Sequence, residues 1–584
     1  MSAQFRSHRR LLVTYLKPLW GRVILLAILL IVSIGLQLVN PQVIRAFIDA
    51  TQAGSPLSTL LLAAGIFLAL AVSQRIIAFL SVFVAESLGW RATNALREDL
   101  TLHCLRLDMP FHKTHTPGEL IERIDADVTA LANFFSQFTV NVTGNSLLIL
   151  GILVLLGRED WRIGAGFALY CIAAFFLLRA IQQVAVKRWA SQRTATADFY
   201  GFLEEHISGT EDIRAAGAEQ YVINRLFLLM RRLLESTRFA KFVSNSTSFS
   251  INFLYATAYS AGLGVGAYLY SLHQVSIGTA YLLVFYIGML ANPLETIRKQ
   301  MQDLQQASAS IERVEVLLSL QPQIRDGNRA VPTRVSESGV TITFDRVSFS
   351  YDQQENVLEG INFQLQPGKV LGLLGRTGSG KTTLARLLFR LYDPGAGSIR
   401  LNDVDIREMA LSDLREQVGM VTQDVQLFQA SVRDNLTFFK QQVSDAHIEQ
   451  VLKELDLWQW VEQLPEGLDT RLAAGGQSLS AGEAQLLAFA RVFLKNPGLV
   501  VLDEASSRLD PATEHLLEQA VDRLLQQRTG IVIAHRLQTV QRADEIMILE
   551  DGRIVEYGAR VALASDPNSR FYHLLQTGLE EVLA

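Results

Sequence analysis

The sequence predicts a multi-domain protein in which an all-α bundle of six membrane spans precedes an α/β domain of the P-loop type. Three observations support this prediction: long apolar runs before residue 320, alternating strand and helix patterns after it, and a glycine-rich loop between a strand and a helix. At 584 residues the chain is also too long for one hydrophobic core. The expected divisions are 1–318 for the membrane part, 319–338 for a polar linker and 339–584 for the soluble part.

Composition and charge exclude several classes of protein. Hydrophobic residues make up 49% of the chain, and their concentration before residue 320 indicates a part that lies in a lipid bilayer. The net charge of −5 is small for this length, so nucleic acid is not expected as a partner. Two cysteines, Cys104 and Cys171, cannot form a disulfide framework or a four-ligand metal site, and both are expected to be small buried side chains.

Six apolar runs are each long enough to cross a hydrocarbon core of about 30 Å at about 1.5 Å per residue. The first follows several basic residues and has no small-residue cleavage site behind it, so it is expected to be a retained helix rather than a signal peptide. An even number of spans places both termini on one side. The runs lie at about 23–39, 58–84, 135–156, 161–185, 246–270 and 276–296.

Two of the connections between spans, 86–133 and 183–244, are long and basic, whereas the others are short and hold few Lys or Arg. The positive-inside rule therefore places these loops, both termini and the soluble part in the cytoplasm, with the spans in the plasma or inner membrane. Apolar residues at Leu96, Leu100 and Cys104 have helical spacing, so the membrane helices are expected to continue beyond the bilayer. Each loop has one break, at 109–118 and 207–218, which predicts either a short helix that contacts the soluble domain or a simple turn.

Polar side chains within the spans are costly in lipid and should face a bundle interior or a water-filled cavity. Each is as compatible with a hydrogen bond between helices as with a substrate contact, so none is assigned to substrate. These residues are Arg75, Asn141, Asn145, Asn252 and Asn292.

The soluble part contains a P-loop in its required setting, between the apolar strand 369–374 and a helix that begins near Gly380. Glycines let backbone N–H groups face phosphates, and the helix adds the positive end of its dipole. Lys381 is expected to contact the outer phosphates of ATP, and Thr382 is expected to bind Mg²⁺. The nucleotide-binding residues expected here are Gly375, Arg376, Thr377, Gly378, Ser379, Gly380, Lys381, Thr382 and Thr383.

A second apolar strand, 499–502, runs into two acidic residues. Asp503 at the strand end can hold Mg²⁺, while Glu504 can polarise a water molecule for attack on the terminal phosphate. By itself, an acidic pair after a strand is weak evidence for a nucleotide-hydrolysing site. The P-loop upstream makes that evidence strong. The sequence therefore predicts ATP hydrolysis.

A third set of motifs resembles those of the ABC ATPase family over residues 339–575. Residues 479–485 read Leu-Ser-Ala-Gly-Glu-Ala-Gln and resemble the signature motif Leu-Ser-Gly-Gly-Gln, with Ser480 and Gly482 at nucleotide-contacting positions. Residues 507–510 resemble the D-loop. The resemblance also implies roles for Gln423 as the Q-loop residue and a metal ligand, His535 as the switch histidine, and Tyr351 as the aromatic that stacks on adenine.

Six spans before one such domain resemble the half-transporter of an ABC exporter. This resemblance implies that two chains sandwich two ATP molecules, each held by one chain's P-loop and the other chain's signature motif. The implied cargo is a hydrophobic or amphipathic small molecule, a lipid or a peptide. Import by the same fold, or a nucleotide-gated channel or regulator, are the alternatives, and the presence of Glu504 and His535 argues against a purely regulatory protein.

The chain departs from the family pattern on the elements that it offers to a partner. Ala481 replaces a glycine, Glu483 a glutamine and Leu486 a common arginine of the signature segment. Arg508 replaces a small D-loop residue, and residues 471–475 lack an expected glutamate. A heterodimer with a second, different half-transporter is therefore favoured, and a homodimer with a harmless variant signature is the alternative.

Overall fold

The computed structural model describes residues 13–327, 329, 339–352, 355–422, 425–440, 442–473, 479–503, 511–534 and 540–577. The chain divides into two compact units, Met1–Arg106 with His115–Gln321 and Leu107–Thr114 with Pro322–Ala584. The second division falls inside the segment 319–338 that the sequence marks as a linker. One short piece of the first long connection thus belongs to the second unit.

The regular structure described before residue 322 is helical, as the apolar runs predict. Two stretches, Glu122–Asp127 and Phe134–Thr143, have π-helical geometry, so the predicted run 135–156 is a π-helix followed by an α-helix. The α-helices are α1 (Trp20–Gln52), α2 (Leu57–Arg106), α3 (Met109–Thr114, in the second unit), α4 (Pro117–Ile121), α5 (Val128–Asn133), α6 (Gly144–Glu159), α7 (Trp161–Ser208), α8 (Thr210–Ala215), α9 (Glu219–Ser271), α10 (Ile277–Met289) and α11 (Ala291–Ser319), with a 3₁₀ turn at Lys17–Leu19.

Helix boundaries follow local capping chemistry. The Asp160 side chain accepts a hydrogen bond from the backbone N–H of Arg162 at 2.7 Å and begins α7. The Ser276 hydroxyl accepts one from the N–H of Thr279 at 3.0 Å and begins α10. Such caps satisfy N–H groups that have no partner within the helix.

The breaks predicted at 109–118 and 207–218 contain the short helices α3 and α8.

Four helical segments in the described part of the chain are long and apolar enough to cross a membrane: Val13–Gln52, Leu57–Arg106, Val140–Glu159 and Ile277–Ile297. The apolar part of α7, Trp161–Leu177, is shorter. The predicted span at 246–270 lies in α9. The count of six spans stays a prediction.

A buried apolar cluster joins α1, α6, α7 and α10. Leu282, Tyr286 and Ile152 are almost fully buried in it, together with Cys171. The Tyr286 hydroxyl donates to the carbonyl of Leu38 at 2.7 Å and accepts from the Gln42 amide at 3.0 Å. These bonds satisfy the only polar atom that the tyrosine side chain brings into the core.

Helices α2 and α11 extend beyond the apolar runs and make buried contacts there. Leu96, Leu100 and Cys104 are buried along one face of α2, which confirms the predicted periodicity, and both cysteines are buried thiols. The carboxylate of Asp127, also buried, accepts hydrogen bonds from Arg313 Nε at 2.8 Å and the Ser310 hydroxyl at 2.9 Å. This ion pair ties α11 to the π-helical stretch before α5.

The second unit contains two sheets. A six-stranded sheet has the order β10-β9-β3-β8-β7-β6, in which only β10 is antiparallel to its neighbour. A four-stranded antiparallel sheet has the order β2-β1-β4-β5. The strands are β1 (Ile342–Phe349), β2 (Leu358–Leu365), β3 (Val370–Gly375), β4 (Ala396–Leu401), β5 (Val404–Asp405), β6 (Val418–Val421), β7 (Leu499–Asp503), β8 (Thr529–Ile533), β9 (Glu545–Glu550) and β10 (Arg553–Ala559).

Helices cover the six-stranded sheet, as expected for parallel strands whose two faces are both apolar. All six residues of the central strand β3 are buried. The helices are α12 (Lys381–Leu388), α13 (Leu411–Gln417), α14 (Val432–Thr437), α15 (Asp445–Glu454), α16 (Trp458–Glu462), α17 (Ala481–Lys495), α18 (Pro511–Leu525), α19 (Arg560–Ser565) and α20 (Arg570–Thr577), with a 3₁₀ turn at Gly467–Asp469.

Candidate active site

The glycine-rich loop joins the carboxyl end of β3 to the first residue of α12. Gly375, Gly378 and Gly380 have φ angles of 148°, 88° and 102°, which side chains disfavour. A Cβ on Gly375 would lie 2.2 Å from the carbonyl oxygen of Leu549, so the loop also needs a residue without one. The backbone can therefore turn tightly enough to present its N–H groups toward a bound anion.

Lys381 is only 6% exposed and its ammonium group folds back over the loop. Nζ donates to the carbonyl of Gly375 at 2.6 Å and to that of Arg376 at 3.0 Å. Ser379 is also buried, and its hydroxyl is among the buried polar atoms of the described residues that have no hydrogen-bond partner. A buried cation and a buried hydroxyl that lacks a partner, beside a helix N-terminus, form an arrangement suited to phosphate oxygens.

The acidic residue at the end of β7 lies next to this loop. The Thr382 hydroxyl is 3.5 Å from Oδ2 of Asp503, at the long limit of a hydrogen bond. Both groups offer oxygen, the ligand atom that Mg²⁺ prefers. The residues present therefore fit Mg²⁺.

Glu504, Gln423 and His535 lie outside the described residues, as do residues 507–510 of the D-loop. The strands that precede the three site residues end at Asp503, Val421 and Ile533. These strands are parallel neighbours, with Val421 paired to Leu502 and Asp503 paired to Ile533. The roles of the three residues remain predictions.

Tyr351 is held at the side of α12. Its hydroxyl is 3.1 Å from the Thr383 hydroxyl and accepts a hydrogen bond from Arg386 at 3.2 Å. The rings of Phe349 and Tyr392 pack edge-on at 4.9 and 5.1 Å between centroids. Burial raises the pKa of the Tyr392 phenol, which stays neutral. The ring of Tyr351 is thus fixed beside the loop that holds Lys381.

The altered signature segment forms a capping box. The backbone N–H and the hydroxyl of Ser480 both donate to Oε2 of Glu483, at 2.7 and 2.8 Å, and the N–H of Glu483 donates to the Ser480 hydroxyl at 3.2 Å. Gly482 is buried in the first turn of α17. A carboxylate of the same chain therefore occupies two donors of Ser480, at the start of this helix.

Sequence reasoning missed two of these contacts. The Ser-x-x-Glu spacing at 480–483 is a capping-box pattern, so the bond between Ser480 and Glu483 could have been predicted. The other is Lys113 on α3, whose Nζ lies 4.7 Å from the ring centroid of Tyr351. No sequence signal connects these two distant positions.

Two family profiles match the chain: "ABC transporter transmembrane region" over residues 23–294 and "ABC transporter" over residues 358–507. The "Putative multidrug export ATP-binding/permease protein YgaD" of Bacillus subtilis is 31% identical, covering 83% of this chain and 84% of its own. The "ATP-dependent lipid A-core flippase" of Acinetobacter baylyi is 28% identical over the full length of both chains. The fold is similar to that of a solved bacterial Atm1-family ABC exporter with ATP bound, at a TM-score of 0.80 and 24% identity over 95% of this chain and 99% of that one.

Proposed function

The chain belongs to the ABC transporter family as a half-transporter of the exporter type, and we propose that its own P-loop site is a complete catalytic site for ATP hydrolysis. The arrangement of Lys381 and Ser379 under a helix N-terminus carries this proposal. In it, Lys381 binds the outer phosphates, Glu504 orients the attacking water, and Gln423 and His535 complete the site. Tyr351 stacks on the adenine.

Thr382, Asp503 and Gln423 are the proposed Mg²⁺ ligands. The 3.5 Å separation of the Thr382 hydroxyl and the Asp503 carboxylate supports the first two. When bound, Mg²⁺ would neutralise negative charge on the phosphate oxygens. The chain's own contribution is to hold these oxygen ligands at the end of β7 and the start of α12, next to Lys381.

A half-transporter pairs with a second half, and we propose that the second half is a different chain. The support is the charge of Glu483, whose carboxylate is held against Ser480 at the start of α17. An anionic side chain at this helix start disfavours a phosphate brought by the partner. The site completed by this signature is then slow or inactive, and the partner supplies an intact signature to the P-loop of this chain.

The proposed cargo is hydrophobic or amphipathic: a small molecule, a lipid or a peptide. A groove of about 660 Å³ runs between α9 and α10, within the usual size range of small-molecule sites. None of the described residues that line it is charged. Its aromatic walls are Tyr255, Tyr259, Tyr270, Tyr281 and Phe285, and Gly266 and Gly288 widen it. Aromatic rings with hydroxyl groups suit a ligand that is apolar with a few polar atoms.

We propose that both termini and the ATPase domain lie in the cytoplasm, with the spans in the plasma or inner membrane. The basic loops 86–133 and 183–244 support this orientation. Cysteine labelling in intact cells tests it, with Gln274→Cys expected to react with an impermeant reagent and Lys440→Cys expected to react only after lysis. The reverse pattern contradicts the orientation.

Reconstitution in vesicles tests the function. With its partner, the chain should accumulate a fluorescent amphipathic compound against its gradient in the direction away from the ATPase domain, with ATP consumed. Import is the outcome in which accumulation runs the other way, and a channel only dissipates the gradient. Tyr259→Ala with Tyr281→Ala should lower cargo-stimulated ATPase activity while leaving basal activity unchanged.

A further inference from the structure

The short helix α3, which comes from the first long connection between spans, lies against Tyr351. The two are in the same compact unit, and Lys113 Nζ lies over the face of the Tyr351 ring at 4.7 Å from its centroid. This is the geometry of a cation–π contact. A residue outside the ATPase fold is therefore in contact with the ring proposed to receive adenine.

Other contacts hold the Tyr351 side chain in place. Its hydroxyl contacts Thr383 and Arg386, and two buried rings, Phe349 and Tyr392, pack against it nearly at right angles. A ring held in this way cannot turn to offer a different face. The face beneath Lys113 becomes available for stacking once the ammonium group leaves it.

A cavity of about 630 Å³ opens beside the Tyr351 ring. It is lined by Asp108 and Pro110 near the start of α3 and by Ser350, Tyr351 and Tyr392, among others. The carboxylate of Asp108 accepts a hydrogen bond from the backbone N–H of Gln323, which anchors the start of the helix. Lys113 lies near the other end of α3, so withdrawal of its side chain from the ring would not require that bond to break.

We propose that Lys113 is part of the adenine site and that its ammonium group and adenine compete for the same face of Tyr351. This inference rests on the proposed role of Tyr351 in binding adenine. A base stacked on an aromatic ring gains more than an exposed ammonium does, so adenine displaces Lys113. Filling of the site therefore frees the Lys113 side chain from the ring.

The test is equilibrium binding of radiolabelled ATP to the full chain in lipid nanodiscs, with inorganic tripolyphosphate as a probe that lacks the base. Lys113→Met removes the charge and keeps the length of the side chain, and should raise ATP affinity about two- to fivefold. Tripolyphosphate affinity should not change. Lys113→Arg, which keeps a cation over the ring, should behave like the unmodified chain.

Lys453→Met is the matched control, because Lys453 also lies over an aromatic ring, Trp458, at 5.8 Å in the same domain. It should leave ATP affinity unchanged. In a Tyr351→Leu background, Lys113→Met should have no effect. Unchanged or lower ATP affinity in Lys113→Met overturns the competition. If Tyr351→Leu itself leaves ATP affinity unchanged, the adenine-binding role of Tyr351 fails instead.

Discussion

Ser480 gives both its backbone N–H and its hydroxyl to one carboxylate oxygen of Glu483, at 2.7 and 2.8 Å. These donors lie at the first turn of α17, where they would otherwise be available to bind a phosphate brought by a partner chain. A glutamine at position 483 could form the same capping box without the charge. The substitution at 483 therefore changes electrostatics more than local structure.

Glu483→Gln should strengthen nucleotide binding at the site that this signature completes by about thirtyfold, because a repulsion of about 2 kcal/mol is removed for unit charges about 7 Å apart. Retention of radiolabelled ATP after gel filtration of the paired transporter measures it. Total turnover should change little, even with Ala481→Gly added, because most of the hydrolysis is proposed to take place at the P-loop of this chain. Glu483→Ala is the control that also loses the cap and should lower the stability of α17 by about 1 kcal/mol. Equal retention in all three proteins would contradict the electrostatic account.

Lys381→Ala should weaken ATP binding by about 1.5–3 kcal/mol, the loss expected for a charge-assisted hydrogen bond. Equilibrium binding to the purified chain measures this change. Lys369→Ala is the matched control, because Lys369 lies at the other end of β3 and pairs with Asp544 at 3.1 Å. Similar affinities in both variants would remove the P-loop assignment.

Glu504→Gln should leave ATP binding intact and slow hydrolysis by about 10² to 10⁴-fold, as is typical when a general base or water-positioning group is lost. Phosphate release and nucleotide retention, measured on the same sample, separate the two effects. In the proposed heterodimer, the corresponding change in the partner should have little effect. A purified chain that alone forms a stable dimer with brisk, cargo-stimulated ATPase activity would show that a second, different half is not needed.

Gly375→Ala should destabilise the ATPase domain by about 1–3 kcal/mol and lower ATP affinity, because its φ of 148° and the nearby Leu549 carbonyl oppose a side chain. Gly360→Ala serves as the control for backbone strain alone. Its φ is 62° and no atom lies within 4 Å of the place that a Cβ would occupy, so a cost of about 1 kcal/mol is expected without loss of affinity. Thermal unfolding with and without ATP distinguishes the two variants, and identical behaviour would argue against the close contact.

The membrane helices and the P-loop could be predicted because their causes are local. Apolar length predicts a span, and glycines followed by Lys381 predict a phosphate site. The contact between Lys113 and Tyr351 could not be predicted, since it depends on how a short helix and a sheet are arranged in space. The two π-helical stretches, Glu122–Asp127 and Phe134–Thr143, could not be predicted from the apolar periodicity either. One extra residue in a helical turn shifts the spacing of apolar residues only slightly.

The ion pair between Asp127 and Arg313 gives α11 a pivot. Arg313 is six residues from the end of this 29-residue helix at Ser319 and 22 residues from its start at Ala291. At about 1.5 Å per residue the two arms measure about 9 and 33 Å. If α11 turns as a rigid rod about the bond to Asp127, a displacement of its end near the linker is multiplied between three- and fourfold at the opposite end. On that geometry, a displacement of about 1 Å at Ser319 would correspond to about 3–4 Å at Ala291.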